Sequence, residues 1–222
     1  MHSDRAFSAH AREAADELWQ AQLHHPFIRG VADGTIDPDR FRFFIRQDYL
    51  YLIDYGRCFA LAAARAPGLH LMARFSELSD MTLRTEMALH LSFAADWGVT
   101  REQLEAEPVG PTTRAYANFL LRTAALGELG ELIAALLPCM WGYSWLGRCL
   151  AESPRPANEL CARWIESYAS DEFAELAGWC REICDSIAAD AGPAQRERML
   201  EAFLVCSRYE LEFWEAAWQS VP

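Results

Sequence analysis

FRFFIRQDYLYLIDYGRCFALAAARA, from Phe41 to Ala66, is the stretch that decides the fold. Its aromatic and aliphatic residues recur at steps of three and four, the period of a helix with a buried face. Asp37-Pro38 just before it supplies a side-chain cap and a preset φ, and Pro67-Gly68 ends it. The same period reads outward in both directions, and strand-like alternation is nearly absent. A first helix is expected from Asp4 to His24, with Phe7, Ala11, Ala14, Leu18 and Gln22 along one face. A short helix begins at Pro26. A third long helix runs from Leu69 to Trp97, and Thr100 with Gln103 forms a capping-box signal. Beyond EPVGPTT come a helix through Tyr116 and Phe119, one through Leu136–Cys149, two more over Ala157–Ser170 and Asp171–Ala191, and a last one after Gly192-Pro193. No linker separates domains. The expectation is one all-α bundle of about eight helices over residues 1–222.

Composition narrows the function. Apolar residues make up 52% of the 222, enough for a substantial core. The net charge of −12, with no basic stripe, disfavours nucleic acid and anionic membrane as partners. The N-terminal residues have no apolar core of a secretory leader, and no uninterrupted apolar run is expected to reach the length of a membrane span. Seven cysteines, an odd number in helical contexts, fit free thiols in a reducing, cytoplasmic setting.

Most catalytic motifs are absent: no G-x-S-x-G, C-x-x-C, H-E-x-x-H, Walker A or G-x-G-x-x-G occurs. A di-iron carboxylate site needs two Glu-x-x-His pairs, and the nearest approach, Glu86 with His90, is spaced by four. Haem ligation by His24 or His25 competes with a capping role at a helix end, which their position favours. Asp48, set among Phe44, Tyr51 and Tyr55, needs a hydrogen-bonding duty, whether toward a ligand or in an internal ion pair. Asp54 lies on nearly the opposite side of that helix. In the last helix Glu210 and Phe213 share a face, although spacing alone does not choose among Glu210, Glu212 and Glu215. The Trp214–Trp218 pair reads as core packing. Cys139 follows Pro138, which removes a backbone donor inside a helix. The residue type otherwise favours inert burial.

HPFIRGVADGTI (His25–Ile36), FRFFIRQDYLYL, YANFLL (Tyr116–Leu121), LLPCMWGY (Leu136–Tyr143), WIESYASDEF (Trp164–Phe173) and YELEFW (Tyr209–Trp214) occur in this order. Together they resemble the TenA family, known as thiaminase II or aminopyrimidine aminohydrolase, from His25 to Trp218. The resemblance implies a haem-oxygenase-like helical fold, a homotetramer, and no metal or cofactor. It also implies hydrolytic release of an amine from 4-amino-5-aminomethyl-2-methylpyrimidine to give the 5-hydroxymethyl product, in thiamin salvage, with cleavage of thiamin itself as a related activity.

By position, Cys139 matches the family's nucleophile, Asp48 the acid that meets the pyrimidine's amino edge, and Glu210 an acid–base residue. Tyr51, Tyr116, Tyr143 and Tyr168 match pocket tyrosines, and Phe213 an aromatic wall. Met140 stands where many relatives have an aromatic residue, which points to an altered wall. The competing reading is a non-catalytic pyrimidine-binding or regulatory protein on the same fold, and a further one is an oxidoreductase acting with haem or a quinone precursor.

Overall fold

The computed structural model describes residues 6–220, and every regular element among them is helical. In chain order they are α1 (Phe7–Ala14), α2 (Asp16–Leu23), α3 (Pro26–Asp33), α4 (Pro38–Arg65), α5 (Leu69–Met81), a π-helical turn (Thr82–Glu86) and α6 (Met87–Asp96). Then follow α7 (Arg101–Glu105), α8 (Pro111–Leu126), α9 (Leu129–Ala151), α10 (Glu159–Ala169), α11 (Asp171–Asp190) and α12 (Pro193–Trp218). Because α5, the π turn and α6 run on without a break, the described residues form eleven helices, more than the eight or so expected. Part of the excess comes from the expected first helix, which is divided into α1 and α2.

Local chemistry explains the boundaries. Asp37 accepts from the backbone N–H groups of Asp39 and Arg40, and Pro38 opens α4. The helix stops at Ala66, held in extended conformation before Pro67. Thr100 and Gln103 form both halves of the capping box on α7. The expected first helix is instead two, broken at Ala15, and its proposed start at Asp4 lies outside the described residues. Its buried stripe is Phe7, Ala11, Ala15, Trp19 and Gln22, while Ala14 is exposed. Steps of four from Phe7 carry the stripe onto Trp19, a far larger apolar surface than Leu18.

Two compact units emerge. The first joins the residues up to Ile36 with Ile133–Glu215, and the second joins Asp37–Leu132 with the residues from Ala216 onward. In the first, Trp19 is enclosed by the rings of Trp141, Trp145 and Phe203 at 5.1, 5.3 and 6.1 Å, and its indole N–H donates to Ser207 Oγ at 3.1 Å. Truncating such a buried indole costs about 3–5 kcal/mol. Ser8 anchors α1 to α11 through two hydrogen bonds donated to the Asp185 carboxylate. In the second, α4 packs against α5, α6 and α8. Ser79 donates to the Gly56 carbonyl at 2.9 Å, tying α5 to α4.

One helix, Leu129–Ala151, is long and apolar enough to cross a membrane by length and composition, although Glu131 and Arg148 interrupt its apolar run. Of its most apolar window 78% is buried inside the protein, so its hydrophobicity is that of a core element.

Candidate active site

The candidate residues fall into two groups, one in each unit. Cys139, Tyr143, Tyr168, Glu210 and Phe213 belong to the first, and Asp48, Tyr51 and Tyr116 to the second.

In the first group Cys139 sits on α9 directly after Pro138, across which the helix is continuous. Pro138 has no N–H to offer the Ala134 carbonyl, which weakens the ladder in the turn before the thiol. Cys139 is 7% exposed, and no disulfide occurs among the seven cysteines. Burial holds four of its six companions away from the thiolate form. It pushes Cys58 up to about 12, with help from the Asp54 charge, and Cys161 up to about 11. It also raises Cys184 and, beside Glu152, the half-buried Cys149. These four are held as neutral thiols at neutral pH.

One turn beyond Cys139, the Tyr143 ring meets those of Tyr168 at 4.9 Å and Trp214 at 5.3 Å. Trp164 closes the cluster against Tyr168 at 4.9 Å. The approach of α10 to α9 depends on Gly147, one turn further on. A Cβ there would stand 2.6 Å from the Tyr168 carbonyl carbon and 2.7 Å from the Ala169 nitrogen, backbone atoms that cannot swing aside. Gly147 therefore lets Tyr168 reach Tyr143.

Among the three glutamates that spacing left open, burial selects one. Glu210 is 2% exposed, whereas Glu212 faces solvent and Glu215 pairs at the surface with His25 at 3.0 Å. Glu210 lies one turn before Trp214 on α12, as Cys139 lies one turn before Tyr143 on α9. Phe213 and Met140 are buried in the same unit. Trp214 packs in the core on Phe27 and donates to Gln22, whereas Trp218 is half-buried beneath the Arg40 guanidinium, 3.8 Å from its ring centre.

In the second group Asp48 is 3% exposed and its Oδ2 lies 2.7 Å from His90 Nε2 on α6. The other ring nitrogen of His90 lies 3.0 Å from the Glu86 carbonyl, at the end of the π turn. Burial pulls the imidazole down, but the hydrogen bond and charge of Asp48, with the carbonyl and carboxylate of Glu86, outweigh it and hold His90 above 6.5. In sequence His90 stands out only as a near miss of a metal motif. The available signal was its spacing of four from Glu86, which sets the ring against that residue's carbonyl, together with the need of a buried acid for a partner.

Beside Asp48 along α4, Tyr51 stacks on Tyr55 at 5.5 Å and meets Tyr116 of α8 at 4.8 Å. The residues flanking Asp48 anchor the loop ahead of α8. Gln47 donates to the Pro108 carbonyl and accepts from Gly110 N–H and the Thr113 hydroxyl, while Tyr49 donates to Glu105 at 3.2 Å. Asp54 is spent on an ion pair with Arg57. His24 and His25 both serve helix ends. His24 Nδ1 donates to the Gln20 carbonyl at 2.7 Å, and His25 Nδ1 accepts from Phe27 N–H at 3.2 Å.

The profile of the TENA/THI-4/PQQC family matches residues 12–220. The chain belongs to this family. Among relatives, the aminopyrimidine aminohydrolase of Halalkalibacterium halodurans is 41% identical over 214 residues, 96% of each chain. Among solved structures, a TenA homologue from P. horikoshii OT3 superposes with a TM-score of 0.91 at 28% identity, covering 98% of this chain and all of that one. A domain with a heme oxygenase-like fold from Shewanella denitrificans reaches 0.76 at 13% identity, covering 98% of this chain and 94% of that one, which shows the fold alone. This TENA/THI-4/PQQC member thus has the helical fold its motifs implied.

Proposed function

We propose that the protein is an aminopyrimidine aminohydrolase of the thiaminase II type. It releases ammonia from 4-amino-5-aminomethyl-2-methylpyrimidine to give the 5-hydroxymethyl product, and it cleaves thiamin as a second substrate. The observation that carries this reading is the 41% identity, end to end, with a relative of that name. The buried carboxylates Asp48 and Glu210, and the buried thiol of Cys139 one helical turn before Tyr143, support it.

An aminopyrimidine resists nucleophiles until a ring nitrogen gains a proton or a strong hydrogen bond. The Cys139 sulfur then forms a bond to a ring carbon, and the ring takes up the electron pair. Those electrons return to break the bond between the side-chain carbon and the amine, which leaves after gaining a proton. Water adds at the vacated carbon and loses a proton, and the carbon–sulfur bond then breaks to restore the thiol. Glu210 is assigned the proton transfers and Asp48 the hydrogen bond to the amino edge of the ring. Tyr51, Tyr116, Tyr143, Tyr168 and Phe213 supply stacking faces and hydroxyls that fix a flat heterocycle.

Ammonia and the hydroxymethylpyrimidine should appear in equal amounts from the aminomethyl substrate. Glu210→Gln should lower kcat about 10²–10⁴-fold, the range for losing a general acid–base group. A wild-type protein that releases no ammonia above the uncatalysed background would refute the reading.

The same reading makes the protein a cytoplasmic homotetramer. Leu69 and Leu126, 81% and 76% exposed in the second unit, supply apolar surface for subunit contacts. Sedimentation as a 25.1 kDa monomer would count against the tetramer.

A further inference from the structure

The Asp48–His90 contact constrains where hydrogens can be. The Glu86 carbonyl oxygen only accepts, so His90 Nδ1, 3.0 Å away, carries a hydrogen and donates it. A carboxylate oxygen and a bare imidazole nitrogen would repel at 2.7 Å, so one proton also lies between Asp48 Oδ2 and His90 Nε2. It belongs either to the acid or to the imidazolium. In both cases it lies in the contact with Oδ2, covalently on Oδ2 or donated to it by Nε2, and Oδ1 carries none. Among the described residues His90 is the one hydrogen-bond partner of Asp48, so Oδ1 remains as an oriented group that can only accept.

We propose that His90 is the positioning residue that makes Asp48 Oδ1 an obligate acceptor, and thereby sets a preference for 4-amino over 4-oxo pyrimidines. The proposal rests on the reading of Asp48 as the group that meets the pyrimidine's amino edge. A 4-amino group donates to Oδ1. A 4-oxo group presents an oxygen to an oxygen, leaving both desolvated and unpaired, the kind of mismatch that hydrogen-bonding sites reject strongly. Without His90, a buried Asp48 can protonate on either oxygen and turn Oδ1 into a donor, which the oxo compound satisfies.

The test is calorimetric binding of 4-amino-5-hydroxymethyl-2-methylpyrimidine and its 4-oxo counterpart. Wild type should prefer the amino compound by about 10²-fold or more. His90→Leu should reduce that preference below about 10-fold. His90→Gln, whose amide N–H can donate to Oδ2, should restore most of it. A folded His90→Leu that keeps the full preference overturns the proposal, as does a His90→Gln that behaves like the leucine variant.

Nitrogen-15 NMR of the wild type adds an arm that requires neither variant nor substrate. A buried histidine with hydrogen on Nδ1 supports the arrangement, and a bare Nδ1 at that residue overturns it. A wild type that binds neither pyrimidine defeats the functional reading and the specificity claim with it. The NMR result would still stand, so the two failures are told apart.

Discussion

Replacing Cys139 by serine is expected to lower ammonia release by about 10³-fold or more, the scale of losing a covalent nucleophile. Binding of the hydroxymethylpyrimidine should stay within a few-fold. The exchange of sulfur for oxygen changes little in shape, so the aromatic faces of Tyr143 and Tyr168 remain where they are. What changes is the supply of anion, because a hydroxyl ionises far less readily than a thiol near neutral pH. Cys149→Ser is the matched control. That thiol lies on the same helix, and burial and Glu152 hold it in the neutral form. Its loss should leave the rate within about two-fold, a surface-like effect. The assay is ammonia release under saturating substrate alongside product affinity. A Cys139→Ser enzyme with a tenth of the wild-type rate would remove the covalent step from the mechanism.

The second large effect is on stability. Asp48→Ala removes the carboxyl that holds the His90 proton in place, and taking away one member of a buried pair costs about 3–5 kcal/mol. The size should depend on pH, with a definite sign. His90 is held above 6.5 in the folded protein. The pair's contribution is therefore complete below the unfolded value and is lost as pH rises through the raised folded value. Urea unfolding of wild type and variant at pH 6 and at pH 9 should show the larger difference at pH 6. The cavity left by the missing carboxyl is common to both conditions and cancels in the comparison. Equal differences at the two pH values would mean that His90 is not charged in the fold.

Much of this was legible because helix ends are local chemistry. Asp37-Pro38, Thr100 with Gln103, and Gly192-Pro193 each mark a boundary through residues within one turn of it. The break at Ala15 was not legible, since alanine favours helix and no glycine, proline or capping residue marks an end there. The same division holds for the site. Cys139, Asp48 and Glu210 were reachable through ordered motifs, and burial then separated Glu210 from Glu212 and Glu215. His90 was hidden because its partner lies 42 positions away, and no spacing rule connects a histidine on α6 to an acid on α4. Gly147 was hidden for a similar reason, because only the neighbouring backbone of α10 shows why no side chain fits.

The first unit is discontinuous in the chain, and this bears on how the protein is made. Trp19 waits for Ser207, 188 residues later, while the second unit lies almost wholly within residues 37–132. At about 5–20 residues per second, a ribosome needs roughly 10–40 s to deliver that partner. Until α9 brings Trp141 and Trp145, and α12 brings Phe203 and Trp214, Trp19 and Phe27 of the nascent N-terminal segment lack these covering rings. The order of synthesis is thus opposed to the order of burial. The early helices become a client for holding chaperones, and a stalled chain cut off before α12 should aggregate through its oldest residues rather than its newest.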